Sequence, residues 1–139
     1  MRTSTPRETP NRPFVEWLVI ALELFVGVIA AVCGPLLIVT DGLGMDRGEL
    51  DATPFTSFVM PGIVLALVGI VLVIAGIRLL RRTAWGIDAS LMAGGMLLGW
   101  IVIETSWIDA GRELQVAIIA AALGVILGSL SLRRRRRLA

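Results

Sequence analysis

The sequence contains no histidine, no lysine and no tyrosine, and a single cysteine. Without these side chains it lacks most of the groups that carry acid-base catalysis and metal ligation. The chain therefore reads as non-enzymatic, with no cofactor and no metal site. Cys33 stands alone in an apolar run, so no intrachain disulfide can form. Ala30, Ala31 and Val32 before it fit poorly to a lipoprotein processing site, which wants a large aliphatic residue first and a small one last. The run from Phe14 to Thr40 also exceeds the apolar core of about 7–15 residues in a cleaved secretory signal, so it is expected to stay in place as a span. Charge is scarce as well: 17% of residues are charged against 56% apolar, a mix that excludes an ordinary soluble domain. All 13 basic residues are arginine, as in proteins of GC-rich genomes. The formal net charge of +2 sits almost wholly in a terminal arginine run, which gives no argument for a nucleic-acid partner.

What is present is apolar length. A membrane-crossing helix needs about 20 mostly apolar residues, and four stretches supply them: 14–40, 58–80, 85–103 and 116–132. Lipid offers no partner to backbone amides and carbonyls, and the runs lack the alternation of barrel strands, so helices are the remaining solution. The expected fold class is all-α, an integral membrane four-helix bundle. Residues 1–13 form an N-terminal segment, 14–132 the transmembrane domain with an outer loop at 41–57, and 133–139 an arginine-rich tail. Thr53 before Pro54 predicts an N-cap and a short helical turn around Phe55, and Pro61 predicts a kink.

The connections alternate in charge. Arg2, Arg7 and Arg12, then Arg78, Arg81 and Arg82, then Arg133 to Arg137 mark one side; Asp41, Asp46, Glu49, Asp51, Asp109 and Glu113 mark the other. The positive-inside rule places both termini in the cytoplasm. Trp17 and Trp85 fall at the basic boundary, Trp100 and Trp107 at the acidic one, as interfacial indoles should. The outer stretch Asp41 to Asp46 lacks the alternating oxygen ligands of a calcium loop and reads as an ordinary acidic loop.

Helices in lipid associate by close approach at small residues. Each span carries such a stripe: Gly27 and Gly34; Gly62, Gly69 and Gly76; Gly95 and Gly99; Gly124 and Gly128. Their simplest role is to close the bundle. The alternative is that one stripe, on the fourth helix by this reading, faces outward as a dimer contact.

Ionisable groups inside spans cost about 2.5–3.5 kcal/mol each at the bilayer centre on insertion scales, so they point to function. Glu23 continues a stripe through Gly27 and Gly34, with Glu16 on the same face, and Asp88 one through Gly95 and Gly99. Both are expected to face inward and converge, with Ser90 as a polar neighbour and Arg78 as the nearest counter-ion. Converging carboxylates suit proton binding or cation coordination. Glu104, with Trp100 and Trp107, forms an outer-face group that reads as a boundary anchor.

From Glu23 to Leu127 the chain resembles a widespread group of small, functionally uncharacterised bacterial membrane proteins with four helices. The residues that carry the likeness are Gly34-Pro35, Pro54-Phe55 followed by Phe58 and Pro61-Gly62, and Gly99-Trp100 followed by Glu104. Members of that group often have an amide where Glu104 stands, which implies that a carboxylate is dispensable there. The resemblance implies the fold and no activity. The function expected is an accessory or structural component of a membrane assembly, whose partners are the lipid bilayer and another membrane protein or a second copy. The alternative is a proton-coupled or ion-conducting carrier built on Glu23 and Asp88. Four-helix multidrug exporters share an acid in the first span, yet those that insert both ways need balanced loop charges, and here the bias is strong.

Overall fold

The computed structural model describes residues 11–107 and 112–138. Arg2, Arg7 and Asp109, which enter the charge argument above, lie outside the described residues. Four α-helices follow one another: α1 (Phe14–Val39), α2 (Val59–Leu80), α3 (Gly86–Trp107) and α4 (Arg112–Leu138), with a 3₁₀ turn at Arg47–Leu50 and no strand among the described residues. All four helices are long and apolar enough to cross a membrane. They close a ring in which α1 packs on α2, α2 on α3, α3 on α4 and α4 on α1, the α1–α2 seam being the most extensive.

Local chemistry sets the helix ends. At the end of α1 the Gly42 amide donates to Leu37 carbonyl oxygen at 2.9 Å, and at the end of α2 the Thr83 amide donates to Arg78 carbonyl oxygen at 3.2 Å. Each stop turns through one left-handed residue, Asp41 at φ 51° and Arg82 at φ 55°, the geometry that satisfies the last orphan carbonyls. The second stop needs only a short turn before α3, so α2 and α3 are antiparallel neighbours. Gly86 makes this possible: a Cβ there would lie 3.1 Å from both the Arg78 carbonyl oxygen and Leu79 Cα.

Three boundaries differ from expectation. α3 runs on to Trp107, because the Thr105 and Ser106 hydroxyls donate back to Val102 carbonyl oxygen instead of breaking the helix. α4 begins at Arg112, and its arginine run is helical through Leu138 rather than a separate tail. Arginine is a strong helix former, and cations are favoured at a helix C-terminus. In the outer loop the helical turn lies at Arg47–Leu50, capped by Asp46, whose side chain accepts from the Gly48 amide. Thr53 does not start a helix: its hydroxyl donates to Leu50 carbonyl oxygen and accepts from the Phe55 amide. Pro61 stands in the first turn of α2, where an amide has no intrahelical acceptor, so it belongs to the helix start and marks no kink.

The core has three tiers. Val19, Ile20, Leu79, Ile87, Val125 and Leu132 fill the arginine-rich end. Val68, Leu72, Ala75, Ala93, Leu97 and Ala122 fill the middle. Leu37, Leu50 and Phe58 close the acidic end with Phe55, whose ring meets Trp107 edge-on at 5.5 Å.

The glycines sort into two kinds. Added Cβ atoms at Gly34 and Gly62 would come within 2.7 Å of the facing backbone, and Gly27 within 2.9 Å, so α1 and α2 touch main chain to main chain. Gly69 presses on the Ala31 amide in the same seam, and Gly76 faces Leu24 and Glu23. Gly124 and Gly128 of α4 seat Leu22 and Val19 of α1, so the α4 stripe closes the bundle. Gly95 and Gly99 are the correction: nothing lies within 4 Å of a Cβ at either. The inward face of α3 is Ile87, Ser90, Ala93, Gly94, Leu97 and Ile101, and a step of one residue turns a helix by about 100°.

Candidate functional site

Glu23 is fully buried on the inward face of α1, with Gly27 one turn further on. Ser90 of α3 presents its hydroxyl to the Glu23 carboxyl, short of a normal hydrogen-bond geometry. Ser129 of α4 is equally buried. The register that seats Gly94 on Val125 and Ile126 puts Ser90, one turn earlier on α3, opposite Ser129, one turn later on antiparallel α4. α2 adds no polar group at this level; its Gly76 leaves room beside Glu23, at 3.3 Å from a would-be Cβ to Glu23 Cβ. Among the described residues no hydrogen-bond partner reaches either Glu23 oxygen, Ser90 Oγ or Ser129 Oγ. Three helices thus contribute unpartnered polar atoms to one buried region.

Above this region, at the arginine-rich end, a cleft of about 460 Å³ opens between all four helices, lined by Pro13, Glu16, Leu79, Ile87, Leu132, Arg135 and Arg136. Glu16 shares the face of α1 that carries Glu23, as the sequence implies, and is held by Arg12 at 3.8 Å. Arg12 also lies 5.2 Å from the Trp17 ring and donates to Leu80 carbonyl oxygen, tying the start of α1 to the end of α2.

Asp88 does not join Glu23. It sits on the exposed side of α3, where its carboxylate meets Arg133 of α4 at 3.8 Å. The inward phase drawn through Gly95 and Gly99 is the outward one, and a first-turn acid can stay hydrated beside an arginine. Arg78 is exposed on α2 and is no counter-ion to Glu23. At the other end Trp100 is half-buried against the middle core tier, one turn from Glu104, and its indole N–H has no hydrogen-bond partner among the described residues. Trp107, on the same helix face, packs edge-on against Phe55 of the outer loop. The outer acids are engaged locally: Arg47 donates to Asp41 at 3.0 Å, and this bond and its charge hold the Arg47 guanidinium above its ordinary pKa. Among the described residues no three Cys, Asp or Glu side chains converge as metal ligands.

Ser129 is the residue that sequence reasoning passes over. Its signal is a polar residue between Val125 and Leu132 at helical spacing, but Ser131 nearby carries the same signal on another face.

These features define a small multi-pass helical membrane protein with a closed polar cluster beneath one end of the bundle. No family model, curated protein or solved structure matches the chain.

Proposed function

We propose that this chain is a non-enzymatic accessory or structural component of an assembly in the bacterial cytoplasmic membrane, with both termini on the cytoplasmic side and kinship to the four-helix bacterial group it resembles. The observation that supports this is the outward Gly95–Gly99 pair on α3, which has open space where a side chain would be. Lipid fills such a groove poorly, whereas a second helix gains close backbone contact across it. Met92 and Met96 flank the groove and are exposed; their flexible thioethers adapt to an irregular partner surface. The occupant proposed is α3 of a second copy, because a glycine groove needs a slim helix opposite and α3 carries that groove itself. The orientation is supported by Arg12, the arginines of the α2–α3 turn and those at the end of α4, which among the described residues lie at one end of the bundle.

The test is crosslinking in native membranes with Gly95→Leu and Gly99→Leu combined. The double variant is expected to lose the crosslinked dimer at least tenfold while keeping the thermal stability of the monomer in detergent. A wild-type chain that yields only monomer, or a variant that crosslinks as well as wild type, removes this reading.

A further inference from the structure

We propose that Glu23, Ser90 and Ser129 form a reversible proton-binding site, reached from the cleft at the arginine-rich end of the bundle. Glu23 from α1, Ser90 from α3 and Ser129 from α4 are each 0% exposed, and among the described residues none of their side-chain oxygens has a hydrogen-bond partner. A buried ionised carboxylate with no cation is strongly disfavoured, and the usual resolution is to take up a proton. A carboxylic acid then donates one hydrogen bond and accepts others, and a serine hydroxyl can accept the first and donate the second. Ser90 is placed to do this for Glu23, and Ser129, buried at the facing register of α4, supplies a second hydroxyl.

The charges around the site favour a proton over a fixed ion pair. On α1, Glu16 is taken by Arg12. On α2 the residues facing inward here are Ala75, Gly76 and Leu79, while Arg78 is exposed. On α3, Asp88 is exposed and paired with Arg133 of α4. Arg135 and Arg136 line the cleft without reaching the buried cluster. Three oxygen-bearing side chains are also few for a metal cation, since sodium-sized and larger hard cations gather six or more oxygens.

Access follows from register. Ile87 and Leu132 line the cleft; Ser90 and Ser129 each lie three residues deeper on the same helices, about 4.5 Å along the axis at 1.5 Å per residue. One aliphatic tier, completed by Val19, Ile20 and Leu79, separates the cleft from the hydroxyls. The site is open in principle to one side of the membrane only, because the middle and outer tiers continue the seal beyond it.

Infrared difference spectroscopy on the full chain in lipid nanodiscs tests this, with pH stepped over roughly 4 to 9, the range in which carboxyl groups displaced by burial titrate. A protonated-carboxyl C=O band is expected to appear and vanish with pH, to be absent in Glu23→Gln, and to shift in Ser90→Ala. Asp88→Asn and Glu104→Gln are expected to leave it in place. A band that persists in a folded Glu23→Gln protein, or no pH-dependent band in the wild type, overturns the proposal. So does a titration displaced tenfold by exchanging choline for sodium, which would assign the site to a metal cation. Should Glu23→Gln fail to assemble, Ser90→Ala and Ser129→Ala keep the carboxyl, and a band unmoved in both overturns the cluster. For the route, Ile87→Ala is expected to speed deuterium exchange of the carboxyl several-fold; an unchanged rate overturns entry through the cleft. None of these outcomes depends on the α3 groove.

Discussion

The glycines of α2 and the glycines of α3 look alike in sequence and do opposite things in space. Gly62 and Gly69 are pressed into the backbone of α1, so tightly that a single Cβ would meet main-chain atoms. Gly95 and Gly99 have the literal small-xxx-small spacing and touch nothing. Spacing reports that a helix has a slim face; only the neighbouring helices decide whether that face is filled. The fourth helix makes the same point in reverse, since its Gly124 and Gly128 appear free to dimerise and instead seat Leu22 and Val19.

The contrast is broken most severely by Gly69→Leu. Its Cβ would meet the Ala31 amide and Gly27 carbonyl oxygen of α1, and backbone cannot swing aside as a side chain can. Over-packing a tight core costs about 1–3 kcal/mol and more where backbone must shift, so a loss at or above the top of that range is expected in detergent unfolding. A variant within 1 kcal/mol of wild type on the same scale would show that the α1–α2 seam is loose. Gly94→Leu sharpens the comparison, because Gly94 and Gly95 are adjacent and one meets α4 while the other meets open space. A Cβ at Gly94 would stand 2.8 Å from Ile126 Cγ1 and 3.0 Å from Val125 Cγ1, side-chain atoms rather than backbone. A loss of about 1–2 kcal/mol is expected there, and equal losses for Gly94→Leu and Gly95→Leu would mean that the face of α3 is wrongly assigned.

The same contrast explains how far the sequence could be read. Four spans are legible because apolar length is a strong signal, and their order in the ring follows from a short turn and antiparallel neighbours. The face of α1 is legible too: Glu16, Ile20, Glu23 and Gly27 fall on one stripe, and that stripe is buried. The face of α3 is not. It is apolar nearly all round, with glycine on both sides at Gly94 and Gly95, so periodicity offers no contrast between core and lipid. Asp88, phased by the wrong glycines, is misplaced with them. The ends fail for another reason: Arg112 and Arg133 to Arg137 read as boundary charges by composition, whereas their high helix propensity carries α4 straight through them.

Asp88 therefore supplies the mildest way to probe the α3–α4 side. Its pair with Arg133 spans 3.8 Å between side chains that are 58% and 48% exposed, and exposed pairs of this kind contribute about 0–1 kcal/mol. Asp88→Asn is expected to lower stability by no more than about 0.5 kcal/mol, with salt reducing the difference further. Glu23 offers the opposite extreme on the same bundle, a carboxyl that is fully buried and has no hydrogen-bond partner among the described residues. A loss of about 3 kcal/mol or more for Asp88→Asn, the scale of breaking a buried pair, would mean that the outward face of α3 is wrongly assigned.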